Sequence, residues 1–417
     1  MANSNLTAAE AQQIEPSLKS GDYRKDPYKI YATLRQKAPV YFSEAWNGWI
    51  VSRYGDVEQV LRQVDRFSNE GRLSKLIEPL PEEARQHAEP IVSNFNAGIQ
   101  HSDPPAHTLA RNLCNRAFTP GIVNAMEGRI QELVDELIDP VMKEGEIDLV
   151  ADFALKLPAS VLGHILGFSL QECERFRKWD DDHVALVSSR TARPDLAERA
   201  NQSAKEQVAW LGEVTAKRRA HPGDDVFSTL VAGLDNGELR DMRDLQGTYL
   251  AILVGGHETT TGLISSAIRL LLERPEQMEQ LLEEPEMMPR AVEEFLRYES
   301  PIQFVPRIAA KDTEMRGTEI AQGDLVMPMI GSANRDPDAF QDPEELDIER
   351  EPNRHLAFGY GIHFCLGALL ARLEGRIALN TLLQRFRHVR LTDNRLEWQE
   401  TDVFRVLKNL PIAFDAA

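Results

Sequence analysis

Four groups of residues have types and spacings that chemistry can use. Cys365 lies in Phe358-Gly359-Tyr360-Gly361-Ile362-His363-Phe364-Cys365-Leu366-Gly367, which runs straight into the helix-forming stretch ALLARLEGRIALNTLLQRF. A sulfur at a helix N-terminus meets free backbone N–H groups and the positive end of the helix dipole, which favour thiolate over thiol. Gly361 and Gly367 can take dihedrals closed to other residues and let a flat partner approach the backbone. Such a loop suits a metal held from one side by sulfur. Cys114 and Cys173 lack these surroundings and read as small buried hydrophobes.

The second group is VGGHETTTG, where Gly255 and Gly256 precede His257, Glu258 and Thr259. Two glycines inside a helix cost about 1 kcal/mol each relative to alanine, so they need a compensating gain. A pocket for a small ligand supplies one, and a close helix crossing supplies another. A hydroxyl backed by a carboxylate can pass protons to such a pocket; His257 reads as a structural or substrate-side residue. Third, AVEEFLRYESP places Glu294 and Arg297 three apart, on one face of a helix. Fourth, HSDPPAHTLARNLCNRAFTP places His107 and Arg111 four apart, and the arginine fork of donors matches a carboxylate.

Three rival motifs fail on their own residues. Gly359-x-Gly361 has Phe364 where a dinucleotide fingerprint needs its third glycine, and His257-Glu258 is followed by Thr261 where a zinc-protease motif needs histidine. Asp180 to Asp182 lack the spacing of a calcium loop.

These candidates need elements to position them. Residues 38–54, APVYFSE and GWIVSRY around a short connection, read as a hairpin, and GDVEQVLR as a helix. From about Pro104 to Glu273 the pattern is nearly all helical: Asp103-Pro104 and Thr119-Pro120 each offer a cap followed by a first-turn proline, and IVNAMEGRIQELVDELIDPVM repeats apolar residues every three or four. Residues 305–330 change to short β-like runs broken by Gly317 and Gly323, which predict a small meander. There is no internal repeat and no Gly/Ser linker. The expectation is a mainly α fold with minor β: a tail over 1–19, then a single domain over 20–417, β-rich at about 38–55 and 305–330.

Composition removes several functions. With 66 acidic residues against 47 Lys plus Arg the formal charge is −19, which repels nucleic-acid phosphates and anionic membranes. The apolar run Tyr249–Leu272 carries His257, Glu258 and three threonines at its centre, too polar for a membrane span. Three scattered cysteines exclude a disulfide framework, and the polar start MANSNLTAAEAQQIEPSL lacks the form of a secretion signal, so the expected location is cytoplasmic.

The loop 358–367 resembles the ligand loop of the cytochrome P450 family of haem-thiolate monooxygenases, Phe-x-x-Gly-x-His/Arg-x-Cys-x-Gly, matched here by Phe358, Gly361, His363, Cys365 and Gly367. The resemblance spans roughly residues 20 to 414. It implies the cytochrome P450 fold, a single triangular helical domain with small β-sheets, holding haem b (heme, iron protoporphyrin IX) with Cys365 as the iron ligand, a thiolate that pushes electron density toward O–O cleavage. It further implies a structural network of Glu294, Arg297 and Arg350, and a distal helix in which Gly255 and Gly256 precede the acid Glu258 and the alcohol Thr259. His107, Arg111, Arg307 and His363 take the positions that the family uses for haem propionates. Gln303, Phe304 and Val305, the region 73–100 and the segment Val406 to Leu410 are expected to line the pocket, and VFRVLKNLPIAF to form a closing hairpin.

The implied activity is insertion of one oxygen atom from O2 into a small hydrophobic substrate. No flavin or iron–sulfur segment is visible, so electrons are expected from an external ferredoxin with its NAD(P)H-dependent reductase, docking where Arg111, Arg116, Arg372 and Arg376 offer a basic patch. No nucleic acid and no membrane is an expected partner. The alternatives are a haem-thiolate peroxygenase, whose members tend to lack the acid-alcohol pair, and a non-catalytic haem-binding sensor or carrier, which turnover-linked NAD(P)H consumption would exclude.

Overall fold

The computed structural model describes residue 6 and residues 8–78, 81–188 and 194–416. Its axis is the helix Met242–Leu272, capped by Asp241, whose side chain accepts from the N–H groups of Arg243 and Asp244. Leu263, Ile264, Ala267, Ile268, Leu270 and Leu271 are buried along it; each fully buried Leu or Ile contributes about 1.5–3 kcal/mol. Two polar residues of this apolar run are satisfied by backbone: Thr261 Oγ1 donates to Ala154 O at 3.0 Å, and Ser265 Oγ to Thr261 O at 2.7 Å.

Around this axis pack the helices Glu82–Ala97, Lys156–Leu166, Met288–Tyr298 and Ala368–Arg385. Two contacts are backbone-close. A Cβ on Gly375 would lie 2.8 Å from Leu263 Cδ2, and a Cβ on Gly98, just past the helix Glu82–Ala97, would lie 2.3 Å from Gly247 O. Glycine is required at the second because a carbonyl cannot step aside.

The expected hairpin is present, Val40–Ser43 paired antiparallel with Gly48–Val51. It enters a five-stranded sheet through a parallel pairing of Gly48–Val51 with Leu325–Pro328, followed by Arg307–Ala309 and Phe67–Ser68. Residues 305–330 therefore do not form a simple meander. Thr313–Met315 and Thr318–Ile320 make a separate two-stranded hairpin whose turn residues Arg316 and Gly317 both have positive φ, the geometry that matches strand twist in a tight turn. A third sheet joins Glu146–Asp148, Pro411–Ala416 and Phe386–Leu391.

Three local expectations are corrected. Of the tail 1–19, Ala8–Lys19 is a helix, with Ile14 and Leu18 four apart and buried against the sheet side of the molecule. Thr119 does cap its helix, Pro120–Ala125, accepting from Ile122 N–H, but Asp103 does not cap the preceding helix, Ala106–Asn115. The Asp103 carboxylate accepts instead from Ser68 Oγ and, at 3.2 Å, from Asn69 N–H, tying the strand Phe67–Ser68 to the helix start. The closing hairpin is also shorter than expected, since Pro411–Ala416 is the regular strand and 403–410 makes only isolated bridges.

Candidate functional site

A cavity of about 240 Å³ opens between the axial helix and the loop before Ala368–Arg385. Cys365 lies in one wall, and Gly255, Gly256 and Thr259 in the same enclosure. The cysteine loop is fixed by backbone: Cys365 N–H donates to Phe358 O at 2.8 Å and Phe364 N–H to Gly361 O at 3.1 Å. Gly361 has φ +74°, and a Cβ there would come within 3.2 Å of Arg62 Cα and Leu61 O, so both its conformation and its fit demand glycine. Gly367 needs neither, with φ −87° and open space around its Cβ position. Arg111 Nη1 donates to Phe364 O at 2.7 Å, and the Arg372 guanidinium sits 4.4 Å over the Phe358 ring. Burial pushes the Cys365 thiol up, against the Gly367 backbone N–H and the charges of Arg111 and Arg372, which favour thiolate. The helix N-terminus alone therefore does not ionise this sulfur; a bound cation would.

On the axial helix the two glycines differ. A Cβ on Gly255 would meet nothing, whereas on Gly256 it would lie 2.9 Å from Leu162 of the helix Lys156–Leu166. The first keeps the cavity open and the second lets two helices cross. Glu258 and Thr259 diverge, as neighbours on a helix must at about 100° per residue. Thr259 borders the cavity with its Oγ1 donating to Gly255 O at 2.6 Å. Glu258 turns outward, its Oε2 accepting from Gln399 Nε2 at 2.9 Å and its Oε1 lying 3.6 Å from His257 Nδ1. His257 is structural rather than substrate-side: its Nε2 bonds Leu155 O at 3.0 Å, and a carbonyl can only accept, so Nε2 carries the proton.

The opposite edge gathers His107, Arg111, Arg307 and His363. The rings of His107 and His363 stand 4.2 Å apart. His107 Nε2, His363 Nε2 and Arg307 Nε are buried without a partner among the described residues, although buried polar atoms are nearly always bonded. Burial and Arg111 lower the His107 pKa to about 4, burial and Arg307 lower that of His363 to about 2, and burial alone lowers that of Arg307 to about 10. This corner disfavours positive charge until something negative enters.

Behind the loop, Arg297 is fully buried and uses all its donors: Nε and Nη2 to Glu294 at 2.8 and 2.7 Å, and the rest to the carbonyls of Asn334, Pro343 and Glu345 at 2.8–2.9 Å. Glu294 also takes Arg350 at 3.2 Å, Asn353 Nδ2 at 3.1 Å and Asp347 N–H at 2.9 Å. The three residues expected as a network are thus in contact.

The pocket expectation is partly overturned. Val305 lines the cavity, with Ile302. Gln303 does not; it is held by Tyr31 O–H at 2.9 Å and donates to Ser300 O at 2.7 Å. Phe304 stacks on Trp46 at 5.1 Å on the far side. From 73–100, Ile99 and Gln100 reach the cavity, whereas Val406, Leu407 and Leu410 are buried elsewhere, Val406 against Gly262. The basic patch is largely neutralised by ion pairs, Arg116 with Glu238 at 2.7 Å, Arg372 with Glu293 at 2.6 Å and Arg376 with Glu127 at 2.8 Å. Exposed apolar side chains are present there instead, Leu109, Ile122, Phe364 and Leu369. Two charged residues of the cavity were not anticipated from the sequence or its resemblance, Arg72 and Glu374. Glu374 falls on the apolar face of its helix, beside Leu370, Leu373 and Ile377, which is a readable signal of a buried acid; its Oε2 has no partner and burial raises its pKa to about 8.

A sulfur in one wall, a glycine opening opposite and orphaned donors along one edge fit a flat metallo-tetrapyrrole with acidic side arms. The family model for cytochrome P450 matches residues 77–409. This chain belongs to the cytochrome P450 family. It is 35% identical to the biotin biosynthesis cytochrome P450 of Bacillus subtilis over 96% of this chain and all of that protein. Among solved structures it is similar to P450BioI in complex with hexadec-9Z-enoic acid ligated acyl carrier protein, at TM-score 0.86 and 34% identity, covering 95% of this chain and 100% of that one. It is equally similar to a myxobacterial P450, CYP267B1, in complex with myristic acid, at TM-score 0.87 and 34% identity over 96% and 99%. The P450 is a haem b monooxygenase that incorporates oxygen from O2 into a small organic substrate, and the expected fold is borne out. Among its described residues no helix is long and apolar enough to cross a membrane.

Proposed function

We propose that Cys365 holds the haem iron and that this side chain, through a cavity shared with Thr259, makes the P450 a ferredoxin-dependent monooxygenase. The observation that carries the reading is the sulfur in the cavity wall together with the unpartnered donors His107 Nε2, His363 Nε2 and Arg307 Nε, which, with Arg111, suit two propionates. When bound, the haem supplies the iron at which O2 is activated. The half-buried Cys365 lines the cavity wall, and the buried Phe358, packed against Arg372, closes the loop behind it.

Thr259 has its proton engaged by the Gly255 carbonyl, so toward the cavity its Oγ1 presents lone pairs. It therefore orients a protonated donor such as water rather than giving up its own proton. Glu258, held by Gln399, is the acid that restocks those protons after its carboxylate leaves that bond. Glu294, Arg297 and Arg350 hold the chain that leads into the cysteine loop. The side chains near the distal opening, Ala251, Ile252, Ile302 and Val305, select an apolar guest.

The electron donor is a ferredoxin docking on the cysteine side, where exposed Phe364 and Leu369 leave an apolar patch and most of the arginines are already paired. We place the enzyme in the cytoplasm, on its sparse cysteines.

The test is the reduced, carbon monoxide-bound protein. A strongly red-displaced Soret band is expected, lost in Cys365→His; a wild-type band at the position of imidazole-ligated haem proteins overturns the cysteine assignment. Thr259→Ala is expected to keep the band and oxidise NAD(P)H while releasing hydrogen peroxide in place of product, and a Thr259→Ala protein with full coupling sinks the proton role.

A further inference from the structure

Arg72 opens the short helix Arg72–Ile77, is buried, and borders the cavity. Its Nε donates to His101 Nδ1 at 2.8 Å, its Nη1 to Pro306 O at 3.2 Å and its Nη2 to Gln100 O at 3.2 Å. A guanidinium has five N–H groups, so one on each Nη has no acceptor among the described residues. The Pro306 carbonyl that Arg72 uses also accepts from Arg307 Nη1 at 3.0 Å, which sets two buried guanidiniums at a single oxygen. Among the described residues neither has an ion pair, and the acid that acts on both is Asp103, already held by Ser68 and Asn69. Burial and then Arg307 push the Arg72 guanidinium well below its ordinary value. Buried charges are otherwise paired, so two together without a carboxylate mark a place for one.

We infer that Arg72, positioned by His101, is a further guanidinium at the propionate edge of the haem and binds a propionate through its two open N–H groups. This rests on the reading that haem fills the cavity. A carboxylate on the substrate is the competing source of the same chemistry, and charge balance decides against it. Arg72, Arg111 and Arg307 bring three positive charges to this edge and Asp103 one negative charge. Two propionates neutralise the remainder, leaving none for an acidic guest.

The experiment compares holoproteins of wild type, Arg72→Gln and Arg72→Lys for the rate at which haem passes to excess apomyoglobin. It is repeated after reconstitution with the iron protoporphyrin dimethyl ester, which has no propionate charge. Arg72→Gln is expected to lose haem about tenfold or more faster, Arg72→Lys to recover most of the difference, and the ester to abolish it. If the glutamine variant cannot be purified with haem, its apoprotein is titrated with haem and with the ester, and the same cancellation is read from the two affinities. Loss at the wild-type rate overturns the proposal, as does an equal acceleration with the ester, which would mean lost packing. A variant that keeps its haem but no longer distinguishes a fatty acid from its methyl ester in Soret-shift titrations also overturns it, in favour of substrate binding. Absence of the red-displaced carbonyl band in wild type would remove the cysteine assignment while leaving the ester comparison intact.

Discussion

Arg297 and Arg307 lie close in sequence and are both buried, yet they sit in opposite circumstances. Arg297 spends every N–H, two on the carboxylate of Glu294 and three on carbonyls. Among the described residues Arg307 donates only to the Pro306 carbonyl and leaves its Nε without a partner. The first cluster is complete in the polypeptide. The second is complete only with a ligand, and its neighbours Arg72, His107 and His363 share the deficit. Buried ions are tolerated when paired and penalised when not, so the contrast separates a cluster that maintains the fold from one that binds.

The largest effect should come from breaking the complete cluster. Glu294→Gln leaves Arg297 buried without its counter-charge and is expected to lower stability by about 3–5 kcal/mol with or without haem, measured by urea unfolding of both forms. Arg307→Met should behave in the reverse way: nearly neutral or stabilising by about 1–2 kcal/mol in the haem-free protein, yet accelerating haem loss about tenfold. Equal destabilisation of the apoprotein by both substitutions would erase the distinction.

Glu374 sharpens the comparison from the acidic side, as an unpartnered buried carboxyl. Its folded pKa of about 8 lies above the ordinary carboxylate range, so its contribution is full below that range and is lost as pH rises through about 8. Unfolding free energy should fall by about 1.4 kcal/mol per pH unit from roughly pH 5 to 8 on this account, and Glu374→Gln should flatten that slope. The smallest effect is expected at the surface pairs. Arg376→Gln should change stability by less than about 0.5 kcal/mol and leave the donor's Michaelis constant unaltered, whereas Phe364→Ser should raise it at every salt concentration.

What could be read in advance depended on how local the chemistry was. Cys365, Gly361 and His363 stand within one loop, and Glu294 with Arg297 within one helical turn, so spacing alone places them together. Arg72 meets Arg307 only because the strand Phe67–Ser68 pairs with Arg307–Ala309, a register that no short motif encodes. Gln303 and Phe304 were expected beside Val305, but Tyr31 bonds the first and Trp46 stacks on the second, contacts with residues distant in sequence that no local spacing encodes. The arginines of the expected patch were counted without their partners, since Glu127, Glu238 and Glu293 are distant in sequence. Helical content followed from periodicity, whereas the insertion of a separate hairpin between paired strands did not.

The abutment of Gly98 on Gly247 sets a rule for remodelling guest size. Because bare backbone touches bare backbone there, even a methyl group would prise Gly98 off the axis together with its neighbours Ile99 and Gln100 in the cavity wall, so this junction fixes where that wall sits. Room for a bulkier molecule must be made away from it. Mutant libraries that hold both glycines constant and put smaller side chains at Ile252, Ile302 and Val305 enlarge the chamber without disturbing that junction.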